Sequence, residues 1–366
     1  MQPRPPSLYP FLAGLLLIEA LYIFSMRQGP GLSPDSIDYV ACAESLMHGQ
    51  GWRRLNGPYL EWPPLFPMVI ATVGFLTGKA LTGAILVNAI LLGFTFYFHF
   101  HTYYAKLNDF WARLIFWIGS VFAIPVLLCH YFIWSESVFI CAFSAFLFFL
   151  RKPNSKGIAL AAFFMMMSRY AGLFFIIGER VFAFVQTPKH WWKEGLIRYS
   201  LAFLGLALWL AYLYSSHGML HSERGAPGFS FGEITLAVGQ VGASWFLPIP
   251  NIGSYALIAL MLVVLPLLLW SKVRTLLPDE SPEPLMIGSY MACLLATFFI
   301  TAFNELPDER LLSPIYLPLI GYVALLVNSL EKQPWSTRAW LWRIPALLWS
   351  AYTVTRVLKN VYSFYA

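Results

Sequence analysis

A chain of 366 residues that is 58% hydrophobic and 11% charged is not a soluble globular protein, which would carry about 25% charge. Its mean hydropathy is +0.64 and many runs approach twenty apolar residues, so it reads as a multi-pass helical membrane protein. The net charge of +6 gives no case for a nucleic-acid partner, because the basic residues sit in short loops between apolar runs, as the positive-inside rule requires.

The first apolar run, about 8–26, is too long for the core of a signal peptide, and no small-x-small cleavage site follows it. It is expected to stay as the first span. An acidic stretch punctuated by Gly and Pro comes next, from Ser33–Pro34–Asp35–Ser36–Ile37–Asp38–Tyr39 through Leu46, Gly49 and Gly51 to Trp62–Pro63–Pro64–Leu65–Phe66–Pro67. It holds Asp35, Asp38, Glu44 and Glu61, four of the 18 acidic residues. Residues 34–48 are predicted as a short helix, with Ser33 as N-cap, Pro34 at the first helical position and Gly49 at the C-terminal cap. Asp35, Asp38, Tyr39, Cys42 and Leu46 then share one face.

Residues 63–78 are apolar but short, and whether they cross decides the topology of everything after them. If they do not cross, the loops holding Lys106, Arg113, Arg151, Lys152, Lys156, Lys189, Lys193, Arg198, Lys272, Arg274, Lys332 and Arg338 share one side with Arg4. We therefore read 63–78 as an interfacial or re-entrant helix on the outer side. The remaining spans are expected near 80–100, 112–130, 133–150, 157–168, 170–187, 198–216, 252–271, 285–303, 313–330 and 338–357. The fold class is an all-α polytopic bundle of about eleven spans, N-terminus inside and C-terminus outside, with no separate soluble domain and no internal repeat. Residues 217–250 form a second outer loop, in which Glu233–Phe246 is expected as a further interfacial helix. The segment 157–168 is too short to cross a ~30 Å core as a straight helix, and Arg169 sits at the break that follows it.

In this topology the acids and special polar groups gather on the outer face, so chemistry is expected there. Asp35 reads either as a general base or acceptor-orienting carboxylate, or as a first-turn acid favoured by the helix dipole. Asp38 fits a solvated loop charge. The Trp62–Pro67 stretch fits an interfacial aromatic followed by a helix start, or a platform for a lipid-linked substrate. Glu136, at the outer end of the fourth span, is a site candidate or an interfacial charge. Arg169 must pair or reach water, and its guanidinium suits an acid or a phosphate. Asn304–Pro314 is a charged turn that brings Asp308 and Arg310 to the same face. His217 and His221, with Glu223 nearby, have metal spacing only if helical, and the segment is broken by Gly and Ser. The cysteines Cys42, Cys129, Cys141 and Cys293 are scattered, which predicts no disulfide and no zinc site. No Gly-rich phosphate loop, nucleophile elbow or zincin motif occurs.

The arrangement Asp35–Ser36–x–x–Tyr39–x–x–x–Ala43–x–x–Leu46–x–x–Gly49–x–Gly51 followed by Trp62–Pro63–Pro64–Leu65–Phe66–Pro67 resembles the first outer loop of polytopic GT-C glycosyltransferases. These include the protein O-mannosyltransferases and the aminoarabinose transferase that acts on lipid A. Ser135–Glu136, Ser168–Arg169–Tyr170–Ala171–Gly172 and Asp308–x–Arg310–x–Leu312–x–Pro314 resemble further elements of the bacterial branch. The acid pair of the mannosyltransferase motif is Asp35–Ser36 here, and the large soluble C-terminal domain of some relatives is not expected.

The resemblance implies an inverting transfer of a sugar from a polyprenyl-phosphate carrier to a glycan, lipid or protein acceptor, at the outer face of the cytoplasmic membrane. It implies Asp35 as the catalytic carboxylate; beside it we expect a substrate-binding role for Asp38, Tyr39, Glu61, Glu136, Arg169, Tyr170, Asp308 and Arg310, with Arg169 and Arg310 at the donor phosphate. No cofactor is required, although a divalent cation (Mg or Mn) at carboxylates such as Asp35 and Asp38 stays open. The competing reading is a transporter or lipid flippase, which would also bury charges at membrane depth; the break at Arg169 is its best support.

Overall fold

The computed structural model describes residues 8–152, 154–186, 188–189, 191–218, 228–247, 282–300, 306–330 and 340–363. The expected span 252–271, and His221 and Glu223, lie outside the described residues. The chain is an all-α membrane protein with one small hairpin. Its helices are α1 (Leu8–Ser25), α2 (Pro34–Met47), α3 (Leu65–Thr77), α4 (Ala80–Tyr103), α5 (Phe110–Val121), α6 (Ile124–Tyr131), α7 (Glu136–Arg151), α8 (Ser155–Ser168), α9 (Gly172–Gln186), α10 (Trp191–His217), α11 (Phe231–Ser244), α12 (Glu283–Ile300), α13 (Glu309–Leu330) and α14 (Trp340–Ser363). Strands β1 (Arg53–Arg54) and β2 (Gly57–Pro58) pair antiparallel between α2 and α3.

Side-chain contacts give the directions of the helices. Tyr22, near the end of α1, donates to the Ile85 carbonyl at 2.9 Å, near the start of α4. Phe11, near the start of α1, packs on Phe96 and Phe100 further down α4. The two helices are therefore antiparallel. Helix α7 runs with α4, because Ser137 donates to Asn88 at 2.8 Å at one end while Arg151 and Tyr103 both meet Glu283 at the other. Helix α13 runs from Arg310, beside Glu136, to Asn328, whose Oδ1 accepts from the backbone N–H groups of Asn108 and Asp109 at 2.7 and 3.0 Å.

These directions settle what α3 does. Glu44 of α2 accepts from the Ala80 N–H at 3.1 Å, so α4 begins beside α2. Since α1 and α4 are antiparallel, α3 does not carry the chain across; its thirteen residues make about 20 Å of helix. It turns back at Gly78, whose φ of +78° is left-handed and suits glycine. Helices α3 and α4 then pack through backbone. A Cβ on Gly83 would stand 2.6 Å from the Gly74 nitrogen and 2.8 Å from the Ile70 carbonyl. The reading of 63–78 as a helix that stays on one side agrees with this geometry.

Among the described residues, five segments are long and apolar enough to cross a membrane by length and composition: Leu8–Ser25, Ala80–Lys106, Phe110–Tyr131, Trp191–His217 and Glu309–Ser329. The expectation of about eleven crossings counts shorter helices too. The span expected at 112–130 is α5 and α6 in line, broken at Phe122 and Ala123. Helices α7, α8 and α9 have 16, 14 and 15 residues, about 21–24 Å each. The unusual 157–187 segment is the α8–α9 hairpin, and Arg169 is at its turn. Helix α7 is buried on all sides from Ser137 to Phe148, as a helix apolar all round must be. Phe143 stacks on Phe175, and Phe175 on Tyr290, tying α7 to α9 and α12. By contrast α1 and α10 keep Leu16, Ile23, Ile197 and Leu208 exposed, the apolar outer surface of a membrane protein.

Ion pairs pin the end of the bundle opposite Asp35. Glu283 is buried against Arg151 and Tyr103, and Glu179 against Arg180, Arg198 and Tyr199. Neither carboxylate is left without a counter-ion, which burial demands.

Candidate active site

Helix α2 forms as its sequence predicts. The Ser33 hydroxyl accepts from the Ser36 N–H at 3.3 Å, and the Ser36 hydroxyl accepts from the Ser33 N–H at 3.1 Å. This closed capping box, with Pro34 in the first turn, sets the start of the helix one residue before Asp35. Gly49, just past its end, has a φ of +69°. The Trp134 indole N–H donates to the Ser33 hydroxyl at 2.7 Å, and Ser36 donates to the Phe132 carbonyl. Both contacts lock the start of α2 to the turn between α6 and α7.

That turn carries the one residue other than glycine with positive φ among the described residues, Ile133, at +52°. A β-branched residue rarely tolerates this conformation. Ile133 is fully buried, so packing over-determines the turn and aims Trp134, Ser135 and Glu136 at α2.

Four charged side chains from separate elements converge here. The Glu136 carboxylate is buried; its Oε1 accepts from Arg310 Nε at 2.5 Å and is ion-paired with Arg169 Nη1 at 2.5 Å. Arg310 also pairs through Nη2 with Asp35 Oδ2. Arg169 Nη1 reaches the Ser135 hydroxyl at 3.3 Å, and the Tyr39 hydroxyl lies 3.0 Å from the same Ser135 oxygen. Arg310 also stands 5.1 Å over the Trp134 ring. Burial first, and the Glu136 carboxylate second, push the Tyr39 hydroxyl far above its ordinary range, so it stays a neutral hydrogen-bonding group.

Asp35, Glu136, Arg169 and Arg310 sum to zero charge. Each guanidinium keeps N–H groups with no hydrogen bond among the described residues, so the cluster has donors to offer an anion. Asp35 is the more exposed of the two carboxylates, its side chain 25% exposed against 1% for Glu136. Asp35 can therefore face a substrate, while Glu136 holds the two arginines together.

The other sequence candidates divide. Asp308 caps α13, its Oδ1 accepting from the Leu311 N–H at 3.1 Å, and so sets the turn that bears Arg310. Tyr170 follows Arg169 but turns away, its hydroxyl accepting from the Trp209 indole at 3.3 Å. Asp38 and Glu61 meet each other through Arg54, whose Nη1 lies 3.4 Å from Asp38 Oδ2 and 2.7 Å from Glu61 Oε1. Arg54 was not among the sequence candidates. The Asn56–Gly57 pair was the sequence signal for a turn there; the loop itself is Leu55–Asn56, and it pairs β1 with β2 beside α2. Ser135 was noted only as the neighbour of Glu136, yet it joins Tyr39 to Arg169.

Among the described residues no three His, Cys, Asp or Glu side chains come together. Asp35 and Asp38, the carboxylates the sequence offered for a divalent ion, are one turn apart, and each is committed to an arginine. They do not fit such an ion as arranged. Cys42, Cys129 and Cys141 are buried free thiols, and Cys293 is a half-buried one.

No family model matches the chain, and no curated protein matches it either. Two solved structures do. One is ArnT from Cupriavidus metallidurans bound to undecaprenyl phosphate, with a TM-score of 0.55, 15% identity, and coverage of 92% of this chain and 62% of that one. The other is ArnT from Cupriavidus metallidurans in the apo state, with a TM-score of 0.56, 14% identity and coverage of 91% and 60%. The fold is similar to that of ArnT, an all-α helical arrangement shared over most of this chain. The chain spans about three fifths of ArnT's length. The resemblance to the aminoarabinose transferase stated from the sequence is thus met at the level of fold alone.

Proposed function

We propose that this chain is an inverting glycosyltransferase. It moves a sugar from a polyprenyl-phosphate carrier to an acceptor hydroxyl, at the outer face of the cytoplasmic membrane. The observation that carries the reading is the joining of Asp35, Glu136, Arg169 and Arg310 at one end of an ArnT-like bundle. Undecaprenyl phosphate is what the ArnT structure binds, and two adjacent guanidiniums suit such a phosphate monoester or diester.

In the proposed step the acceptor oxygen attacks the anomeric carbon as the bond from that carbon to the phosphate oxygen breaks. The departing polyprenyl phosphate takes the electron pair, and Arg169 and Arg310 stabilise the charge it gains. The acceptor proton goes to Asp35, or to an oxygen of the departing phosphate while Asp35 orients the hydroxyl. Arg310 is shared between Asp35 and Glu136 at rest. A donor phosphate would draw Arg310 toward itself and free the Asp35 oxygen for the acceptor. Glu136 keeps both arginines charged and aimed, and no divalent ion enters the step.

The transporter reading drew on the break at Arg169. That break is the turn of the α8–α9 hairpin, beside the N-termini of α7 and α13, and the four charges of this cluster lie at helix ends and turns. This distribution favours the transferase.

The test uses purified protein in nanodiscs, a panel of radiolabelled polyprenyl-phosphate sugars, and Asp35→Asn beside wild type. Release of free polyprenyl phosphate by wild type alone supports enzyme and residue together. Equal release by both proteins removes Asp35 from the step. No release and no saturable donor binding overturns the transferase.

A further inference from the structure

Beyond the arginine cluster, a second polar group lies on the same face of α2. Asp35 and Asp38 are three residues apart, a rise of about 4.5 Å along the helix, which is close to the width of one sugar ring. Where Asp35 meets Arg310, Asp38 meets Arg54 of the hairpin, and Arg54 also meets Glu61. Two carboxylates on one guanidinium leave this trio one negative charge, whereas the Arg169–Arg310 cluster is balanced. An anion is therefore favoured at Arg169 and Arg310 and disfavoured at Arg54.

The trio is under-used as a hydrogen-bonding unit. Each contact runs through Arg54 Nη1 alone, and Arg54 Nε is buried without an acceptor. Nη2 of Arg54, Oδ1 of Asp38 and Oε2 of Glu61 carry no hydrogen bond among the described residues. The three side chains are 31%, 19% and 22% exposed, so a ligand can reach them. Donors and acceptors side by side match hydroxyl groups, which both give and accept, better than they match an anion.

Beside the trio is an aromatic wall. Trp62 follows Glu61 directly, is half-buried, and packs on Tyr39 at 5.0 Å and on Tyr59 at 5.8 Å. The indole is thus held rigid by Tyr39, one residue from Asp38. A fixed ring next to a few aimed polar groups is the composition of a small-molecule site.

We propose that Arg54, Asp38 and Glu61, with the Trp62 ring, form a saccharide subsite for an uncharged, hydroxyl-bearing sugar. Its C–H face lies on the indole and its diol on the trio. The assignment rests on the glycosyl-transfer reading, in which the phosphate sits at Arg169 and Arg310. The ring bound here belongs to the donor sugar or to a saccharide acceptor, and the two sources share this chemistry.

The test measures binding to the full chain in nanodiscs for three probe sets: sugar-free undecaprenyl phosphate, undecaprenyl phosphate bearing neutral hexoses or pentoses, and free neutral disaccharides. Arg54→Gln, Glu61→Gln and Trp62→Ala are compared with wild type. The expected result is at least tenfold weaker binding of a sugar probe, with sugar-free carrier bound as by wild type, which also reports that the fold is intact. Loss confined to sugar-bearing carriers assigns the subsite to the donor, and loss confined to free disaccharides assigns it to the acceptor. If sugar-free carrier does not bind wild type but a disaccharide does, and the variants weaken it, the transfer reading fails while the subsite stands. The subsite is overturned if wild type binds no sugar probe more tightly than the sugar-free carrier and binds no disaccharide. It is also overturned if the variants leave all sugar binding within twofold, or if they weaken sugar-free carrier equally.

Discussion

Glu136→Gln tests the centre of the site with almost no change of shape. One buried oxygen, Glu136 Oε1, faces Arg310 Nε and Arg169 Nη1, both at 2.5 Å. Glutamine keeps an acceptor but removes the charge that lets two guanidiniums lie against each other. Breaking a buried ion pair from one side costs about 3–5 kcal/mol. Here Arg310 retains Asp35, and the two arginine side chains are 18% and 15% exposed, so a loss of about 2–3 kcal/mol is expected. Turnover should fall more steeply, about 10²-fold, because each misaimed guanidinium acts like a lost donor to the developing phosphate charge. The assays are thermal unfolding in detergent and release of polyprenyl phosphate in nanodiscs. A Gln variant that melts and turns over as wild type would refute the view that Glu136 organises the arginines.

Gly83→Ala should destabilise by about 1–3 kcal/mol, read as a lower melting temperature, because the new methyl meets the backbone of Gly74 and Ile70 rather than a side chain that can move. An unchanged melt would mean that α3 and α4 are not in backbone contact. Treatment with EDTA should leave transfer activity intact, since Asp35 and Asp38 are each engaged by an arginine; loss of activity restored by Mg or Mn would contradict this. Burial pushes the Cys42 thiol up to about 12 from an ordinary value near 9. Its folded value is raised, so the stability it contributes is present below about pH 9 and is lost as pH rises toward 12. At pH 8 Cys42 should resist iodoacetamide until the protein is denatured, and mass spectrometry reading full alkylation in the folded protein would go against it.

Much of the fold could be read from local pattern. The Ser33–Pro34 start of α2, the turn at Gly78 and the apolar runs of α1, α4 and α10 are written in residues close together in sequence, because caps and periodicity act over a few positions. The side taken by α3 followed from counting positive charges in loops, a rule about the whole chain that needs no contacts. The hairpin that turns at Leu55–Asn56 was equally local, and the Asn56–Gly57 pair that marks a turn was present though unread.

The candidate site was legible as residue types and illegible as an arrangement. Asp35, Glu136, Arg169 and Arg310 stood out because ionisable groups beside apolar runs are costly unless used. Which arginine meets which acid depends on where α7, α8 and α13 end relative to α2, and no spacing over 275 positions encodes that. The same sequence reasoning put Asp38, Tyr170 and Asp308 with them, whereas Asp38 goes to Arg54, Tyr170 to Trp209, and Asp308 to the cap of α13. The sequence by itself determined that this is an all-α membrane protein, because burial of apolar surface and backbone satisfaction in lipid are set by composition and period. Only the tertiary structure decided the pairing of those groups, because an ion pair forms where two side chains end in space, and that is fixed by packing among helices far apart in the chain.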